Sequence, residues 1–384
     1  MDESTEHEID SGSLEAARNM FLIVLGIICV FGLIMVLSAS FGYSRDVYGT
    51  SFYYFARQLV FMLLGVGLAF TVSRLKIKVW FEYAEVLNWL AIAALVLTFM
   101  PYIGVRVKGS HRWLNLGLTV QPGEFVKYSL IIPSIYFFNR FDKMSFKVKV
   151  QKGLALLAPL IILLLQPDFG TFAICSMIIF FTALLSPMPR KIFYWTFGSM
   201  GVFALLALIA APYRVRRLLA FLDPWKNPQG DSFQLIQSLQ AFAGGGFMGK
   251  GLGNSMEKLH YLPEAHNDFI FSIVGEEFGF VGVVLVILLF LTLLFFGFRL
   301  AIKARERTSC IVIATVVFLI GIQAFFNMAV VMGLLPTKGL NFPFVSYGGS
   351  SLLANFMGIG LILSTVKHER LIASVFSSSQ SRKY

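Results

Sequence analysis

The chain has 384 residues, of which 57% are hydrophobic and 40 are phenylalanine, while only 14% are charged. With a mean hydropathy of +0.74, this composition excludes a water-soluble globule and describes a polytopic membrane protein. The formal net charge of +11 would suggest nucleic acid for a soluble protein, but in a membrane chain loop cations account for it, and no nucleic-acid partner is expected.

The start, MDESTEHEIDSGSLEAAR, is acidic rather than basic, and the first apolar run is long enough to span by itself. A signal peptide is therefore not expected, and residues 1–18 read as a short disordered tail. Apolar runs of about 20 residues predict ten spanning helices, at 19–40, 55–73, 83–102, 121–138, 153–166, 169–186, 192–212, 269–297, 310–335 and 348–366. The expected fold is all-α, one ten-helix transmembrane domain over 19–366 followed by a C-terminal tail at 367–384. Cys29, Cys175 and Cys310 all fall inside apolar runs, with neither the number nor the spacing of a disulfide framework or metal site.

Lysine and arginine set the orientation, because short cytoplasmic loops collect them. One set of loops carries Arg74, Lys76 and Lys78, then Arg140, Lys143, Lys147, Lys149 and Lys152, then Arg190 and Lys191, then Arg299, Lys303, Arg305 and Arg307. Those loops and both termini are expected in the cytoplasm. The opposite side receives the loops near 41–54 and 103–120, the tip QPDFG at 166–170, a long loop at 213–268 between helices 7 and 8, and LLPTKGLNFPFVSYGG at 334–349. Within the long loop, Phe233, Ile236, Leu239 and Ala243 recur at helical spacing opposite Gln234, Gln237, Ser238 and Gln240. That pattern predicts a helix lying in the membrane interface.

Two motifs in this loop resemble catalytic signatures without their context. GGGFMGKG at 244–251 is close to a phosphate-binding loop, but Gly251 stands where Ser or Thr would hold the metal, and no strand-to-helix unit surrounds it. Flexible hinge glycine is the better reading. SMEK at 255–258 matches S-x-x-K but lacks its companion motifs and reads as chance.

The charges that remain are concentrated. In YLPEAHNDFIFSIVGEEFGFVG, residues 261–282, Asp268 sits where the outer loop becomes the eighth span, so partial desolvation should raise its pKa, and Glu264 would share its face if the helix began early. A general base and a helix cap both fit that position. Glu276 and Glu277 lie about 12–14 Å deeper at 1.5 Å per residue. Buried carboxylates must be paired, so at least one is read as structural, with a proton or ion path as the other use. The fourth span opens with QPGEFVK, putting Glu124 and Lys127 three apart on one face. Ahead of it, Arg106, Lys108, Arg112 and Trp113 stand on the side where cations should be scarce, and Arg214, Arg216 and Arg217 begin the long loop. Lipid headgroups are the plain explanation, and a phosphate or pyrophosphate ligand the sharper one. Asp168 and Ser346 complete the outer polar inventory.

The stretch RRLLAFLDPWKNPQGDSFQLIQSLQAFAGGGFMGKGLGNSMEKLHYLPEAHNDFIFSIVGEEFGFVG, together with GLLPTKGLNFPFVSYGGSSLL, closely resembles the SEDS family (shape, elongation, division and sporulation), over essentially all ten spans. DPWKNPQGDSFQ, YLPEAH and GLLPTKGL are most similar to its division branch. The resemblance implies a peptidoglycan glycosyltransferase that polymerises lipid II at the outer face of the bacterial cytoplasmic membrane, at the division septum, with a class B penicillin-binding protein transpeptidase and other division proteins as partners. It carries the family's essential acid onto Asp268, its fourth-span acid and lysine onto Glu124 and Lys127, and its outer-loop arginine and tryptophan onto Arg112 and Trp113. Arg216, Arg217, His266 and Ser346 join these as expected substrate-binding residues. Gly123 and Asn267 depart from the usual serine and threonine, which bears on local packing rather than on ionisable groups. The implied reaction needs a base for the acceptor sugar hydroxyl and cations, or a bound divalent ion such as magnesium or manganese, for the departing pyrophosphate. Lipid II flipping and a noncatalytic division scaffold are the competing functions.

Overall fold

The computed structural model describes the backbone of residues 3–107, 110–115, 117–209, 221–226, 228, 230, 232–258, 262–337 and 339–381; within these, side chains are described from 12 to 372 except at 107, 200, 203, 204 and 206–209. Helices cover all ten apolar runs: α1 (Glu3–Tyr48), α2 (Tyr53–Arg74), α3 (Ile77–Glu82) with α4 (Ala84–Leu97), α5 (Pro122–Ser129) with α6 (Ile131–Asn139), α7 (Phe146–Leu165), α8 (Phe169–Leu185), α9 (Arg190–Ile209), α11 (Ile270–Lys303), α12 (Arg307–Val331) and α13 (Gly349–Ser381). The long loop supplies α10 (Phe233–Gly245). Among the described residues six helices are long and apolar enough to cross a membrane: Gly12–Tyr48, Tyr53–Arg74, Phe146–Leu165, Ile270–Lys303, Arg307–Val331 and Gly349–Ile372. The fourth run is divided at Leu130 because Pro133 has no N–H to give the Ser129 carbonyl.

Two elements differ from the sequence reading. The backbone of the acidic start is helical from Glu3 rather than disordered. The 103–120 loop is a small antiparallel sheet, so the fold is mostly helical and not all-α. Strand β1 (Gly104–Val107) pairs with β2 (Ser110–Asn115), and β2 with β3 (Thr119–Val120). Val105 faces Trp113 and Leu114 faces Val120, β-branched and aromatic cross-strand pairs of the kind that stabilise sheets.

The two ends of the bundle have different characters. At one end the basic loops converge: Ser364 Oγ donates to the Leu75 carbonyl at 2.6 Å, the Arg305 N–H to Glu369 at 2.8 Å, and Arg307 to the Leu185 carbonyl at 3.0 Å. The sheet, the 166–168 tip, the 262–269 turn and the 334–348 loop occupy the other.

The expected helix is present as α10, but the face it buries runs through Leu235, Ser238 and Ala241, not through Phe233, Leu239 and Ala243, of which the first two are half-buried and the last exposed, and the helix is packed rather than loose. Its Leu235, Ile236, Ser238 and Ala241 are buried against α11 and α12, and Ser238 Oγ donates to the Val331 carbonyl at 2.6 Å. The glycine-rich segment after it is fixed too. Helix α11 breaks at Gly279, whose φ is +63°, and the segment takes up the backbone groups this frees. The amides of Lys250 and Gly251 donate to the carbonyls of Glu276 and Glu277 at 3.0 and 2.9 Å, and the Phe280 amide donates to the Gly246 carbonyl at 2.9 Å. A Cβ on Gly249 would stand 2.2 Å from the Glu277 oxygen, so only glycine admits this approach. A break at membrane depth is tolerated where protein satisfies it. The near phosphate-loop motif is therefore a close backbone splice, neither a nucleotide site nor a free hinge.

The two deep carboxylates are structural. Glu276 pairs with Lys250 at 2.7 Å and accepts from the Ser255 hydroxyl and the Met256 amide; Glu277 pairs with Lys258 at 2.7 Å and accepts from Ser38 Oγ on α1 at 2.6 Å. The SMEK tetrapeptide is thus not incidental, since its serine and lysine are the partners the buried acids require.

Candidate active site

Helix α11 begins at Ile270, not earlier, because Glu264 adopts a left-handed φ of +59° and the chain turns tightly over 262–269. Glu264 therefore does not stack on the face of Asp268; its carboxylate accepts from the Asn267 side chain. Asp268 is half-buried at the end of this turn. Its backbone carbonyl accepts from Asn327 Nδ2 at 2.7 Å, and the same amide donates to the Leu340 carbonyl at 2.6 Å. One buried side chain on α12 thereby ties the Asp268 turn to the 334–348 loop. Asp268 Oδ2 lies over Gly339, where a Cβ would stand 2.7 Å away; the missing side chain is what leaves the carboxylate room.

Glu124 and Lys127, in α5, are 7% and 1% exposed and form an ion pair at 2.7 Å. Lys127 also donates to Gln323 Oε1 on α12 at 2.6 Å. Burying two charges costs several kcal/mol per ion unless each is paired and hydrogen-bonded, and here both conditions hold. Gln323 and Asn327 are four residues apart, about 6 Å along the helix, so a single face of α12 braces both the Glu124–Lys127 pair and the Asp268 turn.

Asp168 caps α8, accepting from the Thr171 amide at 3.2 Å and its hydroxyl at 2.9 Å. Arg112, on β2, donates to the Gln166 and Pro167 carbonyls at 3.4 and 2.5 Å and stands 3.8 Å from Asp168. It is partly exposed, with Nε and Nη2 spent on the tip carbonyls and Nη1 turned toward Asp168. Trp113, its neighbour, is half-buried in the sheet. Gly170 meets Leu340 at 3.3 Å from its would-be Cβ, which brings the α8 tip onto the loop beside Asp268. A Cβ at Gly123 would meet Thr171 at 3.4 Å and Asp168 at 3.9 Å, ordinary contact, so space does not dictate that departure.

His266 and Ser346 are buried ties. Ser346 Oγ donates to the Asn267 carbonyl at 2.6 Å and accepts from the Phe342 amide at 2.9 Å; Gln58 Nε2 donates to the Ser346 carbonyl at 3.0 Å, and the Tyr347 amide to the His266 carbonyl at 2.9 Å. The His266 ring lies among Tyr54, Tyr43 and Tyr347, with centroids 4.4, 5.5 and 5.9 Å away. Burial pushes its pKa down to about 4, against the opposing pull of the Glu264 charge. Arg214, Arg216 and Arg217, and the neighbouring Lys338, lie outside the described residues. Among the described residues no group of three His, Cys, Asp or Glu side chains could hold a metal ion.

Sequence reading singled out Asp268, Glu124, Lys127, Arg112 and Asp168, and the structure gathers them at one end of the bundle. It missed Gln58, Gln323 and Asn327. The signal was available, since polar side chains inside an otherwise apolar span face the bundle interior, and GIQAFFNMAV carries two on one face.

The chain is similar to known proteins over most of its length. Residues 18–371 match the family model described as cell cycle protein, for FtsW, RodA and SpoVE. The chain is 40% identical over 359 residues to a probable peptidoglycan glycosyltransferase FtsW of Geobacter sulfurreducens, covering 90% of this chain and 93% of that one. It is 35% identical to stage V sporulation protein E of Bacillus subtilis, covering 91% and 97%. Among solved structures it resembles a chain of a peptidoglycan synthase complex described as coordinating polymerization and crosslinking, with 27% identity, a TM-score of 0.72 and coverage of 91% and 97%. The fold is also shared with the rod shape determining protein RodA of Thermus thermophilus, at 24% identity, a TM-score of 0.67 and coverage of 91% and 96%. On this family match and these relatives, the chain belongs to the cell cycle protein family of FtsW, RodA and SpoVE, the SEDS proteins.

Proposed function

We propose that this protein is a peptidoglycan glycosyltransferase of the FtsW type that polymerises lipid II, with Asp268 as general base. The observation that carries the assignment of the base is the half-buried Asp268 carboxylate over Gly339, on a turn whose backbone carbonyl at Asp268 is tied through Asn327 to the 334–348 loop. In the reaction Asp268 takes the proton of the acceptor sugar 4-hydroxyl, the oxygen bonds to the donor's anomeric carbon, and the bond from that carbon to the lipid pyrophosphate breaks. The pyrophosphate leaves as an anion without a general acid, provided cations meet its charge. Lys127 and Arg112 are the candidates among the described residues, with Trp113 next to Arg112 as a further contact and Arg216 and Arg217 of the long loop as further cations; a divalent cation would supply the same neutralisation. Glu124 orients Lys127. His266 and Ser346 act as positioning residues, holding the turn that carries Asp268.

Ten membrane crossings with both termini in the cytoplasm put Asp268, the sheet and the 213–268 loop on the outer side, in one domain over 19–366. The protein works at the division septum with a class B penicillin-binding protein transpeptidase; similarity to FtsW proteins and to a chain of a peptidoglycan synthase complex supports this reading. The transporter reading loses its main support here, because Glu276 and Glu277 are consumed by structural pairs.

The test is purified protein, alone and with its transpeptidase, given fluorescent lipid II. Polymer should form, and Asp268→Asn should reduce it by about 100-fold or more while the protein stays folded, as loss of a general base does. Undiminished polymer in that variant removes Asp268 from the chemistry. Movement of lipid between leaflets without polymer replaces the enzyme with a transporter.

A further inference from the structure

Away from the site, at the end of the bundle where the basic loops converge, α4, α6 and α7 leave a shallow open cleft on the perimeter. Its wall is amphipathic. Trp89, Pro133, Phe137 and Leu156 give it an apolar side, and Glu85, Asn88, Tyr136 and Lys152 a polar one. The polar residues stand in the first turns of α4 and α7 and the last turn of α6, at the level of the basic loop and so of lipid headgroups.

Two features of the polar side call for a ligand. Lys152 Nζ lies 4.3 Å from the centre of the Tyr136 ring and the Arg140 guanidinium 4.6 Å from the same ring, with Arg140 also donating to the Tyr136 hydroxyl at 3.0 Å. Two like charges gathered on one ring repel each other. The carboxylate at hand is Glu85, which pairs with Lys152 at 2.5 Å and is mostly exposed, so its contribution is small. Across the adjoining loop Arg140, Lys143, Lys147, Lys149 and Lys152 face a single acid, Asp142. Second, Asn88 is 3% exposed; its Nδ2 donates to the Ala155 carbonyl at 2.8 Å, but its Oδ1 has no partner among the described residues. A buried acceptor left without a donor is destabilising.

We infer that this cleft binds one anionic phospholipid with a hydroxyl-bearing headgroup, of the phosphatidylglycerol kind. The phosphate lies between Arg140 and Lys152, a headgroup hydroxyl donates to Asn88 Oδ1, and an acyl chain follows Trp89 and Leu156 into the bilayer. Each partner supplies what the cleft lacks: an anion, a donor and an apolar tail. Basic pockets between helices at the membrane surface recognise lipid headgroups in this way. The inference does not depend on the polymerase reading, and its test uses no turnover.

The full-length protein in detergent is titrated with phosphatidylglycerol, and separately with phosphatidylcholine of the same acyl chains, with retained lipid counted by native mass spectrometry. Expected is one phosphatidylglycerol retained at least tenfold more tightly than phosphatidylcholine. Arg140→Ala with Lys152→Ala should abolish that preference, Asn88→Leu should weaken it, and Lys143→Ala with Lys147→Ala, on the same loop but off the cleft, should leave it within about twofold. The inference is overturned if the two lipids bind alike or if the off-cleft pair matters as much as the cleft pair. Equal competition by inorganic phosphate would equally overturn it, because the site would then read a free anion.

Discussion

His266 is enclosed by three tyrosines two residues from Asp268 and stays neutral until about pH 4, whereas the unfolded chain's histidine protonates near 6.5. The unfolded state therefore binds more protons between these values, and stability falls as pH is lowered from 6.5 to 4, by up to about 1.4 kcal/mol per unit. Thermal melting in detergent should show the wild type losing stability across that window and His266→Phe, which keeps the ring stack, losing much less. Equal slopes would mean that the ring is not sequestered. At this scale the sequence made the acids legible, because an ionisable group at the rim of an apolar run stands out. It did not distinguish residues that meet substrate from residues that hold the loop: Ser346 and His266 share the motif with Asp268, and only tertiary contacts assign their hydrogen bonds and ring stacking to the scaffold.

The splice between the 246–258 segment and the broken α11 ties the long loop into the helix bundle. Glu277, fully buried, is held by Lys258 from the segment and by Ser38 from α1, so it joins three parts of the chain. Lys258→Met would leave that carboxylate unpaired at a cost of about 3–5 kcal/mol, while Lys258→Met with Glu277→Leu, which removes both charges, should recover much of the loss. Melting of the two variants decides it; a double variant no more stable than the single one means the pair is not buried as described. Sequence reasoning required partners for Glu276 and Glu277 but could not name them, since Lys250 and Lys258 lie 26 and 19 residues earlier, beyond any helical periodicity. The same limit concealed the role of the glycines, whose purpose is a backbone approach that no local pattern encodes.

For the molecule as a whole, apolar run length located every long helix, because the bilayer imposes one dimension on all of them. The β-sheet escaped notice: its strands are two to six residues long, too short for alternation to register. The proposed topology is open to labelling. Cys29 and Cys175 are buried and Cys310 half-buried, so a cysteine introduced at Lys147 should react with an impermeant maleimide only from the cytoplasmic side, and one at Tyr102, which is fully exposed, only from outside. Reaction of both from one side would refute the ten-crossing arrangement. The order of the charged partners along the chain also bears on biogenesis. Lys250 and Lys258 leave the ribosome before Glu276 and Glu277, so by the time the translocon receives the acidic turn of α11 the counter-ions that neutralise it have already been synthesised. A circular permutant opened between Lys258 and Glu276 would reverse that timing and present two uncompensated carboxylates to the insertion machinery.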